Sequence, residues 1–352
     1  MKKHNKPAEK RLVEPMEAST GSNVASPQAL SITALATRYL LDNEFSVESQ
    51  LGEAVDALLV EEDEETLQTI SLLLYEKDPE ASEDFWGYAR ERAEMFLTEE
   101  GQVSTLFAVP ILHPEAMQGF SAERATTSFF THGLVCANAK VTFYPAPVDG
   151  GQLLNMSPVE VFRLHTALGN NYREAATLLS TQAYAEGTHP YICLIGIVRY
   201  SAQMPGHCVA WELPSDDFVR RIQNWTEQSD LAVLGLNTQQ RVLGYPGRFV
   251  FAVREGAQEY QDIVLEEFVT RVVGEKSGKI LARLQDHPIM EGLTLELYDA
   301  AQEYGALYIP WKQLDQTRAD VIERIFDLLR ESGVIGLMFQ DYEAGEISRV
   351  HH

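Results

Sequence analysis

The sequence predicts an α/β or α+β fold, in which an N-terminal helical segment precedes a larger layered domain built on mixed sheet. Three observations carry this. Apolar residues recur at helix-face spacing from about residue 30 to 100, and after Gly101 short β-rich apolar runs alternate with helical patterns. The chain's 352 residues also exceed what one hydrophobic core usually spans.

Residues 1–28 are polar, contain Pro, Ser and Asn, and follow neither hydrophobic period, so they read as a disordered tail. Lys2, Lys3, Lys6, Lys10 and Arg11 make its first part basic. The next unit, 29–100, reads as an acidic helical domain. Ile32, Leu35, Ala36, Tyr39 and Leu40 share one helix face, as do Leu51, Val55, Leu58 and Leu59, and then Leu67, Ile70 and Leu74. A fourth helix is expected from 82 to 98, with Ser82 as N-cap, Glu83 and Asp84 in the first turn, and Gly101 closing it.

The remaining unit, 101–352, is the α/β domain, with a sub-boundary placed at 201–246. Strands are expected near 102–112, 139–146, 190–200, 247–254, 277–284, 292–299, 305–311 and 334–340. Ser157-Pro158-Val159-Glu160 predicts a helix start: Ser as N-cap, Pro at the first helical position and Glu positioned to complete a capping box. A last helix over 317–332 presents Ile322, Ile325, Phe326 and Leu329 and stops at Gly333. The stretches 102–200 and 247–340 each begin with a strand and alternate with helices, which leaves two similar α/β halves open, although their residues do not match in register.

Composition narrows the class. Hydrophobic residues at 45% and charged residues at 23% are ordinary for a globular chain and fit neither disorder, collagen nor a coiled coil. Cys136, Cys193 and Cys208 are odd in number and far apart, which points to a reducing compartment. Acidic residues and Pro15 interrupt the N-terminus where a secretory signal needs an apolar stretch, and no apolar run approaches the roughly 20 residues that cross a bilayer. A soluble cytoplasmic protein with no membrane partner is therefore expected.

Charge is the compositional feature that stands out. Of a net −24, residues 42–100 carry −16, from nineteen Asp or Glu against Lys77, Arg90 and Arg92. Duplex nucleic acid demands a basic face, and only the tail offers one, so direct nucleic-acid binding by the folded body is not expected. The densest tract is Glu61-Glu62-Asp63-Glu64-Glu65. It lacks the alternating Asp grammar of a calcium loop, and it reads either as a solvated face that keeps the chain soluble or as a docking surface for a basic protein partner.

Catalytic motifs do not assemble. Gly274-Glu275-Lys276-Ser277-Gly278-Lys279-Ile280 has the outline of a phosphate-binding loop, but its glycines are one residue too close and Ile280 stands where a hydroxyl should meet magnesium. Its order, helix then strand, is also reversed. His132 and Cys136 lie four apart on an expected helix, without a second ligand pair, so no metal is assigned. His207 and Cys208 are adjacent, the wrong geometry for an activated thiolate, and Cys193 lies in an apolar strand. Asp216-Asp217 reads as the charged first turn of a helix carrying Phe218, Ile222 and Trp225, Glu266-Glu267 as a solvated helix face, and the 145–151 turn as a connection that can rim a pocket. No catalytic residue and no cofactor is assigned.

These readings favour a non-enzymatic interaction or accessory protein that uses its acidic helical surface, with Glu61, Glu62, Asp63, Glu64 and Glu65 as candidate contacts. An enzyme with a site in the α/β domain and a structural subunit of a larger assembly are the alternatives; the oligomeric state is left open.

Overall fold

The computed structural model describes residues 25–97, 101–112, 120–170, 172–179, 191–203, 208–212, 216–217, 220–221, 241–242, 246–275, 279–287, 292–310, 317–334, 336–341 and 346–350. The tail expected over 1–28 falls almost wholly outside them.

Four helices open the described chain: α1 (Pro27–Leu40), α2 (Glu48–Val60), α3 (Glu64–Tyr75) and α4 (Pro79–Ala93). Each starts or packs for a local reason. Ser26 caps α1 and Asp63 caps α3 by accepting the Ala29 and Thr66 amides, which satisfies helix-end donors that otherwise lack partners. The apolar faces of α1–α3 coincide with the spacing read from sequence: Ile32 and Ala36, then Leu51, Val55, Leu58 and Leu59, then Leu67, Ile70 and Leu74 are all buried.

The fourth helix differs from expectation. It begins at Pro79 with Asp78 as N-cap, not at Ser82, and ends at Ala93. Ser82 is buried and its hydroxyl bonds that of Ser71 at 2.8 Å. Met95–Leu97 is then a short strand, β1, paired with the next strand, so Phe96 and Leu97 are not helical. Phe96 leaves the helix because its ring is held against Phe162 and His165, a tertiary contact that overrides the helical spacing.

The first sheet is antiparallel throughout. β2 (Gln102–Leu112) pairs along its length with β5 (Tyr191–Ser201), while β1, β7 (Gly247–Arg248) and β6 (Arg241–Val242) line the other side of β2 in turn. β3 (Lys140–Phe143) and β4 (Val148–Asp149) cover the far side of β5. Both faces are buried, and the period of two sorts them. Leu106, Ala108, Cys193, Ile195 and Ile197 join one cluster with α1–α4, α6 (Gly150–Leu154) and α7 (Pro158–Asn170). Phe107, Val109, Ile111, Ile192, Leu194 and Val198 join another with Phe129 of α5 (Ala122–Thr131) and with Phe143. The expected capping box forms at α7: Ser157 Oγ accepts the Glu160 amide at 3.2 Å and Glu160 Oε2 accepts the Ser157 amide at 2.8 Å. A short helix, α8 (Tyr172–Leu178), follows α7.

The strand expected at 247–254 is a second correction. Only Gly247 and Arg248 are extended; Phe249–Glu275 is one helix of 27 residues, α9. Its first half buries Phe249, Val250, Ala252, Val253 and Ala257 against the first sheet, a spacing of three and four rather than two. Phe251, the residue that makes the run look alternating, is exposed. The second half buries Leu265, Phe268, Val269 and Val272 against a second sheet.

That sheet has the order β10-β9-β8-β11-β12, built from β8 (Leu281–His287), β9 (Gly292–Tyr298), β10 (Glu303–Pro310), β11 (Gly336–Asp341) and β12 (Glu346–Val350). Only β8 and β11 run parallel, and α10 (Arg318–Glu331) lies in the chain between β10 and β11. The expected end of this helix is observed: Gly333 has φ +78°, the left-handed conformation glycine tolerates best. The two sheets thus differ in topology as well as in sequence. Buried Asp286 meets Arg318 at 2.7 Å, and Asp262 meets Arg324 at 2.8 Å, which ties α10 to β8 and to α9. Among the described residues, no helix is long and apolar enough to cross a membrane.

Where α9 crosses β2, a Cβ on Gly256 would lie 2.2 Å from Pro110 Cβ. Alanine is intrinsically better than glycine in a helix by about 1 kcal/mol, but the contact is with a rigid ring. Gly256→Ala is therefore expected to destabilise the protein by about 1–3 kcal/mol, read from urea unfolding. An unchanged or raised midpoint would mean that α9 does not lie this close.

Candidate functional site

The acidic tract divides into structural and outward-facing residues. Asp63 is committed as the N-cap of α3, its Oδ1 3.0 Å from the Thr66 amide. Glu62 takes a positive φ of 55° just beyond α2 and accepts Arg163 of α7 at 2.9 and 2.6 Å, so it links the helical segment to α7. Glu64 is half-buried and accepts Gln68 Nε2 at 3.3 Å. Glu61 and Glu65 point outward.

Around them the surface is one-sided in charge. Asp42, Glu48, Glu53, Glu61, Glu62, Glu65, Glu76, Glu80, Glu83, Asp84 and Glu91 are exposed between 42 and 97, against Lys77 as the exposed basic residue there. Phe45, just before α2, and Val60, Leu72 and Tyr75 on α2 and α3 are more than half exposed.

Beside α2 lies a cleft of about 830 Å³. Asp56, Leu59 and Val60 of α2 form one wall, and Phe162, Thr166 and Asn170 of α7 form another at the four-residue spacing that aligns one helix face. Phe96 of β1 and Arg199 at the end of β5 also line it. Arg92 reaches in from α4, its guanidinium matched to the Asp56 carboxylate. Arg199 has no hydrogen-bond or ion-pair partner among the described residues, and its Nε is buried. Its guanidinium rests on α7 where residue 169 has no side chain; a Cβ there would be 2.1 Å from Nη2. The Thr166 hydroxyl is likewise buried without a partner.

Behind Phe96, His165 is fully buried. Its Nδ1 lies 3.2 Å from the Ala93 carbonyl and its Nε2 2.8 Å from Ser104 Oγ, which fits a neutral ring donating from Nδ1 and accepting from the serine. Desolvation, opposed by the Ala93 bond and aided by nearby Arg199, holds its pKa down at about 3. Its role is structural.

Glu94 is the second buried titratable group. Its carboxylate accepts the Val250 amide at 2.7 Å, capping α9 from another part of the chain, and meets Arg248 at 2.6 Å. Burial outweighs both partners and pushes its pKa up to about 7. A small cavity of about 260 Å³ adjoins it, lined also by Trp211 and Phe251, but both carboxylate oxygens are engaged.

The other sequence candidates are not brought together. His132 terminates α5 and Cys136 lies beyond the helix, so they do not share a helical face; the helix stops because the chain turns at Gly133, which has φ +65°. The Cys136 amide instead bonds the Cys208 carbonyl at 2.8 Å. Cys193 is in the core, its thiol pushed up to about 12 by burial. His207 lies outside the described residues. Among the described residues, no group of three or more His, Cys, Asp or Glu is arranged to hold a metal. Sequence reasoning missed Arg199, Thr166 and Phe96; the readable signal was Arg199, which shares strand parity with buried Ile195 and Ile197 and so had to face inward.

No protein-family model, curated protein or solved structure matches the chain.

His165 and Glu94 have opposite consequences for stability. Below pH 6.5 the unfolded chain protonates His165's imidazole while the native site stays neutral to about pH 3, so stability falls on acidification across that window. The loss reaches about 5 kcal/mol in full. His165→Gln, which keeps hydrogen bonding but does not titrate, is expected to flatten this limb in urea midpoints measured from pH 4 to 7.5. An unchanged slope would overturn the assignment.

Glu94 stabilises most below its unfolded value of 4.5, and that contribution is lost as pH rises through about 7. Its size is about 3 kcal/mol. Glu94→Gln is expected to remove the decline between pH 4.5 and 7, and a variant that keeps it would assign the titration elsewhere.

Proposed function

We propose that this protein is a non-enzymatic interaction protein whose acidic helical surface docks a basic segment of a partner protein. The observation that carries the reading is the eleven-to-one excess of exposed acidic over exposed basic side chains on residues 42–97. Complementary charge of this density accelerates encounter and excludes acidic competitors, and it disfavours nucleic acid as the partner. Phe45, Val60, Leu72 and Tyr75 among the carboxylates add the apolar contacts that give short-range affinity. Within the tract, Glu61 and Glu65 are the contacts, while Glu62 and Asp63 hold the helices that present them.

The test is fluorescence anisotropy with a labelled peptide of alternating Lys and Leu. Neutralising Glu48, Glu53, Glu61 and Glu65 to Gln is expected to weaken binding at least tenfold and to lessen its salt dependence. Neutralising Glu259, Glu266, Glu323 and Glu331 on α9 and α10 removes the same charge elsewhere. Equal losses for the two sets would show general attraction to an acidic protein and sink the docking surface.

A further inference from the structure

We propose that the cleft between α2 and α7 is a binding site for a small organic carboxylate with an apolar body. Its volume of about 830 Å³ lies within the range that encloses small ligands. Its polar groups are of two kinds. Arg92 is already neutralised by Asp56, and both are half-exposed at the rim. Arg199 is not neutralised: it lines the same cleft and has no hydrogen-bond or ion-pair partner among the described residues.

A guanidinium without a counter-charge that lines a largely apolar cleft is placed to take an anionic group that enters it. A guanidinium offers paired N–H groups matched to a carboxylate. A phosphate dianion fits worse, because Arg199 is the one lining cation without an acidic partner among the described residues and the adjoining helices are strongly acidic.

The rest of the lining fits an apolar body. Phe96 and Phe162 have ring centroids 5.9 Å apart, and Leu59, Val60, Met95, Leu97 and Val103 complete the apolar surface. Gly169 lets Arg199 lie flat on α7 and so holds the guanidinium inside the cleft. His165 keeps the chemistry to one cation: it is neutral, and its two ring nitrogens are taken by Ala93 and Ser104.

Isothermal titration with 3-phenylpropionate and with octanoate tests the assignment, with 3-phenylpropionamide as the neutral isostere. Saturable one-to-one binding of at least one acid is expected, with the amide at least tenfold weaker. Arg199→Gln should cost a further tenfold or more. Phe162→Leu, which removes an aromatic wall of the cleft and leaves the arginine in place, should cost severalfold while leaving the far-UV circular dichroism unchanged, which keeps the test decisive even if the arginine variant fails to fold. Failure of both acids to bind, equal affinity for the amide, or undiminished affinity in folded Arg199→Gln or Phe162→Leu would overturn it.

Discussion

The rest of the structure depends on α9 being one unbroken helix that serves two cores. A 27-residue helix spans about 40 Å, more than one small sheet needs. Its N-terminal half completes the face of the first sheet that also carries α1–α4, and its C-terminal half completes the second sheet. Neither half has an apolar stripe that continues straight along the helix; the burial rotates from one sheet to the other. The start of α9 is therefore the point that fixes both. There Glu94, at the end of α4, caps the helix through the Val250 amide while its own carbonyl accepts the Leu106 amide of β2. One residue joins the helical segment, the first sheet and the spine.

Burying that carboxylate carries a cost, and the geometry shows why it is tolerated. Desolvation raises the energy of the charged form, while Arg248 and a helix N-terminus lower it. The balance brings the pKa of Glu94, at about 7, close to physiological pH. The outward acids obey different physics: exposed pairs such as Arg38 with Glu44 and Arg163 with Glu62 contribute about 1 kcal/mol or less each. Most exposed carboxylates on α1–α4 therefore do little for stability, and their concentration makes physical sense as a property of the surface.

Much of the fold was legible because short-range signals agreed with tertiary packing. The cap at Ser157, the stop at Gly333 and the faces of α1–α3 obey local rules, and β2 and β5 obey the period of two on both buried faces. Legibility failed where a tertiary contact overrode a local pattern. Phe249 to Val253 is a short apolar run rich in aromatic and β-branched residues, as in a strand, yet the cap supplied by Glu94 is invisible in that window. Phe96 continues the α4 spacing, yet the chain turns so that its ring covers His165. The site was harder still. The acidic tract is contiguous and could be read, but Arg92, Phe96, Thr166 and Arg199 come from four segments that only the fold brings together.

The acidic surface and the cleft act on charge at different ranges, and this makes them compatible. Beyond a Debye length of about 8 Å in physiological salt, an approaching anion meets only the remnant of the field of the acidic helices. Inside the cleft, Asp56 is cancelled by Arg92, and Arg199 is the short-range charge that remains. A highly charged anion is disfavoured by the field and gains a single unpaired cation, whereas a monoanion with an apolar body loses little outside and gains aromatic contact as well. The same excess of carboxylates that suits the outer face to basic partners thus narrows what the cleft can hold.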